Sequence, residues 1–491
     1  MVKTRKHNTR QKSTGKGVKK NRSKARKINA STPYDTCGEQ LSPFGGLLAL
    51  IKFLDLFKFD QIVDCQYQAP TREPEQGHSF MLTGLLMLLF IGFNRIWHFT
   101  YVRMDAILCG YFRLERLPVA STFWRYVNSM GINQGISLLM VMNTLRERVW
   151  KQLGLCYYRI NVDIDTTVET VYGQQQGGRK GHNTQHRGKK GYRPILCFIE
   201  QTREYLNGKL RKGETVNGEQ CAKFIVQIKE NLPGCVKQVL LRADGEFLSW
   251  QSVQAAYDCG FDFIFANKAC DPVFDPNTWY RPYRRKDIEF NSCVYLPGGW
   301  AKPCRFIVMR IPKEADGNKP VQCALFDDER YKYRIFCTSL AGNAHEIITQ
   351  YDKRADVENL IGEAKREGLD AIPSAKFKNN YAFFQVVMTA YNIWRYMKLM
   401  AAAKSASEHD HPGQGKGLEE IATNTIRIAR LKLLYIAAKV VKEHNRDKVK
   451  YSIHDVRTPI LLGFLQKMDR WRSLPPPWTQ NNGWSQRFAL V

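Results

Sequence analysis

Short apolar strands that alternate with helices constrain the fold of this chain more than any other feature of its sequence. In the segment YYRINVDIDTT, which begins at Tyr157, apolar and polar residues alternate with the two-residue period of a half-buried strand. PILCFIE, VKQVLLRAD and FDFIFANK are further strand-like segments, with helical patterns between them at 218–231 and in SWQSVQAAYDCG. Asn207-Gly208 predicts a tight hairpin turn after PILCFIE. This alternation indicates an α/β layer structure.

Positive charge is the second constraint. The 491 residues include 74 Lys and Arg against 46 Asp and Glu, which gives a formal net charge of +28. Clustered cations gain affinity for phosphates by releasing counterions, so a nucleic-acid partner is favoured over a merely soluble basic surface. Residues 1–30 hold twelve of these cations and no acid, and they lack apolar periodicity, so we predict a disordered tail. Gripping a DNA backbone and solubilising the chain are equally good interpretations of this tail.

Cysteine spacing and apolar run length exclude two classes of protein. None of the 13 cysteines has Cys-x2-Cys spacing, which argues against a zinc ribbon. Scattered thiols without a secretory leader predict a cytosolic protein. The longest apolar run, at 79–93, falls short of the ~20 residues that a membrane span requires, so we expect a buried helix there.

Two aspartates stand at the ends of predicted strands. Asp165 precedes two hydroxyl residues, and Asp244 ends VLLRAD, where Gly245 allows a sharp turn. Carboxylates at the carboxyl ends of adjacent strands converge at one edge of an α/β sheet, where ligands usually bind. A lone strand-end aspartate is more often a helix cap. Asp163 is the main rival of Asp165, because both side chains point to the same side of the strand.

A third acid lies in the segment YDKRADVENLIGEAKREGL. On one continuous helix, at about 100° per residue, four polar residues share a narrow stripe beside an apolar face: Tyr351, Arg354, Glu358 and Lys365. Glu363, the rival of Glu358, falls off this stripe. The helix is predicted to pack on one side and to offer the four groups together on the next. A solvated helix face with an Arg–Glu pair is the competing interpretation.

Three motifs follow one another in a characteristic order: Asp165-Thr166-Thr167, Arg242-Ala243-Asp244-Gly245 and Tyr351-x2-Arg354-x3-Glu358-x6-Lys365. The third matches in full the Tyr-Arg-Glu-Lys signature of DDE insertion-sequence transposases, and the first two resemble their aspartate motifs. The block from Tyr172 to Leu196 is similar to that of the insertion sequence 1380 branch, which is grouped with the insertion sequence 4 type. The resemblance extends over about residues 40–450.

The resemblance implies an α/β, RNase H-like core interrupted by a β-rich insertion, and cut-and-paste DNA transposition with Mg2+. Two such ions, for which Mn2+ can substitute, act in phosphodiester chemistry and prefer carboxylate oxygens. By resemblance, Asp165 bridges the two ions, and Asp244 and Glu358 each bind one. Arg354 and Lys365 are implied to hold phosphates near the cleaved end, through bidentate contact and as a point charge. Tyr351 is implied to position or stack.

A Gly-rich basic loop at 173–193 contains no acid. We expect Arg179, Lys180, Lys189 and Lys190 to follow the DNA backbone near the site, with a solvent-exposed loop as the alternative. The loop lacks the Lys-Ser/Thr ending of a P-loop, which argues against ATP binding.

Two tryptophans, Trp279 and Trp300, lie in the predicted insertion. Related transposases use an aromatic residue there to hold a flipped base during hairpin formation. Trp300, which follows two glycines, is the candidate here. A tryptophan packed in the core is the more common interpretation.

These observations predict an order of domains and a set of partners. The order is a disordered tail (1–30), a helical DNA-binding domain (31–150), the first part of the core (151–270), the insertion (271–340), the second part of the core (341–404), a linker (405–420) and a C-terminal helical region (421–491). We expect terminal inverted repeats and target DNA as partners, a homodimer in the synaptic complex, and a bacterial, nucleoid-associated cytoplasmic location without a membrane. The alternatives are a metal-dependent nuclease without strand transfer and a catalytically idle DNA-binding protein.

Overall fold

The computed structural model describes residues 26, 28–181, 186–283, 287–312, 331–403, 417–471 and 473–477. Most of the predicted tail at 1–30 and of the predicted linker at 405–420 therefore lies outside the described residues. The chain divides into two compact units, Met1–Gln40 and Leu41–Val491. In the first unit, the Asn29 side chain accepts hydrogen bonds from the backbone N–H and the hydroxyl of Ser31. Every element named below belongs to the second unit.

The second unit opens with a largely helical region. Its elements are β1 (Leu41–Ser42), α1 (Leu47–Leu56), α2 (Phe59–Gln66), α3 (His78–Phe90), α4 (Phe99–Val102), α5 (Ala106–Phe112), α6 (Ala120–Ser129) and α7 (Ile132–Leu153). Helix α3 holds most of the long apolar run and is buried around its whole circumference from Met81 onward, as its composition requires. Among the described residues, none of the helices has both the length and the apolar character of a membrane span.

A large mixed sheet follows. The elements are β2 (Arg159–Thr166), β3 (Glu169–Thr170), β4 (Arg179–Lys180), β5 (Lys190–Tyr192), β6 (Ile195–Ile199), β7 (Tyr205–Lys209), α8 (Gly218–Glu230), β8 (Gln238–Ala243), α9 (Trp250–Cys259), β9 (Asp262–Ala266), β10 (Glu289–Tyr295), β11 (Cys304–Pro312) and β12 (Tyr331–Thr338). The main sheet has the order β10-β11-β12-β9-β8-β2-β6-β7, and β3, β5 and β4 form a small separate sheet. Strands β2, β8 and β9 are parallel, with α8 and α9 as connections, which confirms the predicted α/β layer.

The predicted hairpin turn at Asn207-Gly208 is wrong, because both residues lie inside β7. The connection from β6 to β7 lies at 200–204 instead, where Arg203 has a positive φ of 58°. The backbone of Tyr205 is held by the Asn392 side chain, which accepts from its N–H and donates to its carbonyl, both at 2.8 Å. This tertiary contact continues the strand through a sequence that locally favours a turn.

The predicted insertion continues the main sheet. Strand β12 pairs antiparallel with β9, with Phe336 opposite Ala266 and Thr338 opposite Ile264, and β11 and β10 follow outward. Residues 284–286 and 313–330 of this segment lie outside the described residues.

The C-terminal part returns to the helical region. Its elements are α10 (Ala344–Asp352), α11 (Asp356–Ala364), α12 (Phe377–Ala402), α13 (Leu418–Thr423), α14 (Ile426–Leu433), β13 (Ala438–Glu443), β14 (Arg446–Tyr451) and α15 (Thr458–Asp469). The prediction that 421–491 is helical is therefore wrong at 438–451, which forms a hairpin on β1. In this hairpin Val440 and Val449 face each other and pack on the helical core, which is the pattern of a one-sided strand pair.

Three hydrophobic clusters pack on the main sheet, and one of them joins Leu240 and Ile264 of the strands to Ile347 of α10. On one face, Ile160, Val162 and Ile164 of β2 pack against α8 and α9. On the other face, Leu196 and Phe198 of β6 join the large core of the N-terminal helices and α12. Helix α12 is buried along most of its 26 residues. The sheet is thus held between two helical layers, and only its ends are left for a site.

Candidate active site

The carboxyl ends of β2 and β8 lie side by side. The two strands pair in parallel, and their last register pair joins Ile164 and Ala243. Asp165 and Asp244 each follow this pair directly, so the two predicted aspartates emerge from adjacent strands at the same edge of the sheet.

Asp165 is largely buried at this edge. Its Oδ1 accepts the Thr166 N–H at 2.8 Å, and its Oδ2 lies 3.2 Å from Nη2 of Arg354. Burial raises the pKa of Asp165 to about 6. Arg354 opposes this rise, whereas the negative charges of Asp244 and Glu358 add to it. The charges of the three predicted acids therefore act on one electrostatic site.

Asp163, the rival on the same face of β2, has a different environment. Its oxygens accept from Nε and Nη2 of Arg242 at 2.6 and 2.7 Å, and both side chains are almost fully buried. Arg242 also donates to Glu200 and to the Gln350 carbonyl. This bidentate pair engages Asp163 inside the sheet, so Asp165 is the acid of this strand that faces the edge.

Asp244 ends β8 in a tight turn. Its Oδ1 accepts the Glu246 N–H at 3.1 Å, and its Oδ2 lies 3.9 Å from Nζ of Lys268. A Cβ at Gly245 would lie 2.6 Å from Cγ of Lys268, so a larger residue would force that flexible side chain aside. The Asp244 side chain keeps 31% of its surface exposed, which leaves it accessible to a ligand.

Glu246, which follows β8, forms hydrogen bonds that connect the ends of β8 and β2. Its Oε2 accepts from Oγ1 of Thr166 at 3.0 Å and from Nη2 of Arg193 at 2.7 Å. In the sequence, Glu246 is only an acid that stands two residues after Asp244. Nothing in the sequence indicated Arg193 as a partner, because the two residues are far apart along the chain and meet only in the folded sheet.

The segment with the third acid is not one continuous helix. Helix α10 ends at Asp352, a 3-10 turn spans Lys353–Ala355, and α11 begins at Asp356. The predicted single stripe is therefore wrong: Tyr351 and Arg354 are buried, whereas Glu358 is exposed on α11. The segment contains neither Gly nor Pro at the break, so composition gave no signal for it.

Buried contacts explain where the first two stripe residues lie. The Tyr351 ring packs on Phe336 at 4.6 Å between centroids. Arg354 donates from Nη2 to the Ile164 carbonyl at 2.8 Å, in addition to its contact with Asp165. Arg354 thus holds the end of β2 through both backbone and side chain.

Glu363 lies in the last turn of α11, and Lys365 follows that helix directly. Lys365 opens a π-helical turn and donates from Nζ to the Val168 carbonyl at 2.9 Å, with Asp370 at 3.9 Å. Glu363 is buried and pairs with Arg395 of α12. Glu363 is therefore engaged in the core, in agreement with its position off the predicted stripe.

The basic loop forms the small sheet that follows Asp165. Arg179 and Lys180 lie on β4, Lys190 lies on β5, and these three and Lys189 are exposed. Arg179 also pairs with Glu214.

Trp300 belongs to a packed aromatic cluster. Its ring lies 5.7 Å from Trp250 and 6.2 Å from Phe306 between centroids, against the core on the α8–α9 face. This is the alternative interpretation, a packed tryptophan, and the ring is only partly exposed.

The chemistry of the edge fits a hard divalent cation. Its ligands would be carboxylate oxygens, which Mg2+ prefers. In the described parts of the chain, no three His, Cys, Asp or Glu side chains are gathered closely enough to hold a metal ion as they stand. Asp165 and Asp244 follow adjacent strand ends, and Glu358 is exposed on α11.

The chain is similar to known proteins in sequence family and in structure. Residues 23–473 match the sequence model described as "Transposase DDE domain group 1". A comparison with curated proteins found no match.

Two kinds of solved structure are similar at low identity. A piggyBac transposase synaptic complex with hairpin DNA is 11% identical, with a TM-score of 0.35, over 78% of this chain and 85% of that one. The Mos1 strand transfer complex and a pre-cleavage Mos1 transpososome are each 10% identical with a TM-score of 0.16, over 39% of this chain and 58% and 60% of theirs. The family match covers most of the sequence and includes all three acidic motifs. This chain therefore belongs to the DDE transposase family.

Proposed function

We propose that this transposase excises and inserts its DNA element by Mg2+-dependent cut-and-paste chemistry, with Asp165, Asp244 and Glu358 as its metal-binding carboxylates. The observation that carries the proposal is the register of β2 and β8, which brings Asp165 and Asp244 to the same edge of the sheet. The charges of Asp244 and Glu358 both raise the pKa of Asp165, which supports a place for Glu358 near that edge. Such partly compensated negative charge at a sheet edge suits a site that gains a cation. The mixed sheet with both aspartates at one edge supports the RNase H-like fold.

The roles follow from the resemblance of the motifs. Asp165, Asp244 and Glu358 would hold two divalent ions through their carboxylate oxygens. When bound, the ions supply an activated nucleophile and a stabilised leaving oxygen, and Mn2+ can replace Mg2+. Arg354 orients the Asp165 carboxylate from the neighbouring turn and, with Lys365, presents positive charge to a phosphate. The buried Tyr351 ring packs beside Arg354 and supports its position.

DNA is the proposed partner. The exposed cations Arg179, Lys180, Lys189 and Lys190 extend from the strand end that carries Asp165, which favours a path for the backbone along this small sheet. We assign recognition of terminal inverted repeats to the helical domain at 31–150, with two copies of the chain in the synaptic complex. The motif spacing favours the insertion sequence 4 type and its 1380 branch. We place the protein in a bacterial cytoplasm, at the nucleoid.

The test incubates the purified full chain with Mg2+, a duplex that carries an element end, and target DNA. Joined products support the proposal. Cleaved products without joining would indicate a nuclease, and retention without cleavage would indicate an idle DNA-binding protein. Asp258→Asn, at an exposed acid of α9, is the matched control for the acidic substitutions and should leave the products unchanged.

A further inference from the structure

Two cysteines precede the amino ends of the neighbouring strands β2 and β8. Cys156 stands two residues before Tyr158, and Cys235 stands two residues before Lys237. The Lys237 N–H donates to the Tyr158 carbonyl at 2.9 Å, so the two segments already touch where they enter the parallel ladder. Equal offsets from this hydrogen bond bring the two cysteines opposite each other.

The two thiols contact each other. Burial raises the pKa of Cys235, and the hydrogen bond with the Cys156 thiol and the charge of that thiol raise it further. Neighbouring strands lie about 4.8 Å apart, and a disulfide joins Cα atoms that are about 4.4–6.8 Å apart. The separation of the two segments therefore suits a covalent link between their cysteines.

Both thiols of this pair can be reached from solvent. Cys156 is exposed and Cys235 is partly exposed. A second contacting pair, Cys304 and Cys337 on β11 and β12, is buried in the main sheet. Thiol–disulfide exchange requires access to the sulfur atoms, so the exposed pair is the one that a solute would oxidise first.

We infer that Cys156 and Cys235 form a reversible disulfide when the protein meets a small disulfide such as oxidised glutathione. The Cys156 thiolate attacks one sulfur of the reagent to form a mixed disulfide, and the departing glutathione thiolate takes up the proton. The Cys235 thiolate then attacks the Cys156 sulfur, and the second glutathione leaves and takes up the second proton. Two cysteine thiols are thereby oxidised, and one glutathione disulfide is reduced to two thiols.

The link would hold the main sheet at the end opposite its acidic edge. Asp165 and Asp244 follow the carboxyl ends of the same two strands, whereas the disulfide would join the segments before their amino ends. A covalent loop around residues 157–234 stabilises the fold by restricting the unfolded chain. Oxidation should therefore increase resistance to unfolding and leave DNA cleavage and joining unchanged. This inference does not depend on the proposed function.

The test treats the reduced full chain with oxidised glutathione and digests it with trypsin without reduction. Cleavage after Lys and Arg leaves Cys156 in the peptide 152–159 and Cys235 in the peptide 230–237, each as the only cysteine. We expect mass spectrometry to find these two peptides joined, and dithiothreitol to separate them. Free thiols at both positions, glutathione on Cys156 without the joined peptides, or a Cys304–Cys337 link in their place would overturn the inference.

Urea unfolding measures the effect of the link on the fold. The oxidised parent protein should have a higher midpoint than the reduced one, and dithiothreitol should reverse the shift. Cys156→Ser should abolish the shift, whereas the matched control Cys65→Ser, at another exposed cysteine, should keep it. An equal shift in Cys156→Ser would contradict the inference. Peptide mapping of the parent protein decides the question even where a variant folds poorly.

Discussion

The carboxylates inside this protein and those at its sheet edge have different counter-charges. Three interior acids each meet an arginine in a nearly fully buried pair: Glu204 with Arg146, Glu363 with Arg395, and Glu367 with Arg430. At the edge, Asp165 has one arginine contact at 3.2 Å, and Asp244 has a lysine at 3.9 Å. A buried charge is tolerated when its partner is complete. Incomplete pairing therefore distinguishes the acids that are available to a ligand from those that hold the fold.

The edge acids should dominate activity. Asp165→Asn, Asp244→Asn or Glu358→Gln is expected to reduce strand cleavage by about a thousand-fold or more, as for other catalytic carboxylates, because each removes a charged oxygen ligand. DNA binding and the unfolding midpoint should stay close to those of the parent protein. Gel assays of cleavage and joining, beside binding and urea unfolding, measure this. Normal joining by any one variant would remove that acid from the site.

The interior acids should dominate stability. Glu204→Gln leaves the buried Arg146 without its charged partner, which should lower the free energy of unfolding by about 3–5 kcal/mol. Urea unfolding measures the change, with Asp244→Asn as the comparison at the edge. A loss of similar size in both variants would erase the distinction between the two regions.

Substitution of Lys365 tests whether this residue belongs with the edge acids or with the residues that hold the fold. If it contacts a phosphate, Lys365→Ala should weaken end binding and reduce the salt slope by about 1. Its hydrogen bond to the Val168 carbonyl predicts a smaller loss of stability as well. An unchanged slope with lower stability would place Lys365 among the structural residues.

Glu169 is a buried acid near the edge whose Oε1 has no hydrogen-bond partner. Burial and the charge of Asp370 raise its pKa well above the usual 4.5, against the opposing effect of Lys365. The folded state therefore holds this proton more tightly than the unfolded state, and stability falls as the pH rises from 4.5 toward the folded-state pKa. Glu169→Gln keeps the side chain neutral, so its stability relative to the parent should increase with pH over that range. Urea midpoints at acidic and neutral pH measure this, and parallel curves would contradict it.

The strand pattern allowed the sheet, and two of its acids, to be predicted from local sequence. The alternation of apolar and polar residues predicted strand β2. Asp165 and Asp244, at the ends of predicted strands, were expected to lie close together because neighbouring parallel strands end at the same edge of a sheet. The Asp165-Thr166-Thr167 context favoured Asp165 over Asp163 in the sequence. The structure adds a physical reason that local sequence does not contain, because the distant Arg242 side chain engages Asp163.

Tertiary contacts decided the elements that sequence reasoning missed. The break after Asp352 follows from packing of Tyr351 and Arg354 on the sheet, without a glycine or proline to indicate it. The hairpin at 438–451 turns at His444 and Asn445, which both have positive φ, although the usual glycine is absent. The alternation of Val and Lys in this segment is typical of a strand. The segment follows directly on a helical pattern, and the helix was therefore predicted to continue through it.

The pairing of β12 with β9 has a consequence for protein engineering. Because β12 is hydrogen-bonded to β9, the segment 271–340 is part of the main sheet and not a separate domain. Deleting it would therefore remove strands from that sheet. The truncated protein would present β9, an apolar strand with unsatisfied N–H and C=O groups, as a new open boundary that invites self-association. Minimised versions of this enzyme should therefore retain β12, or replace it with a short charged strand.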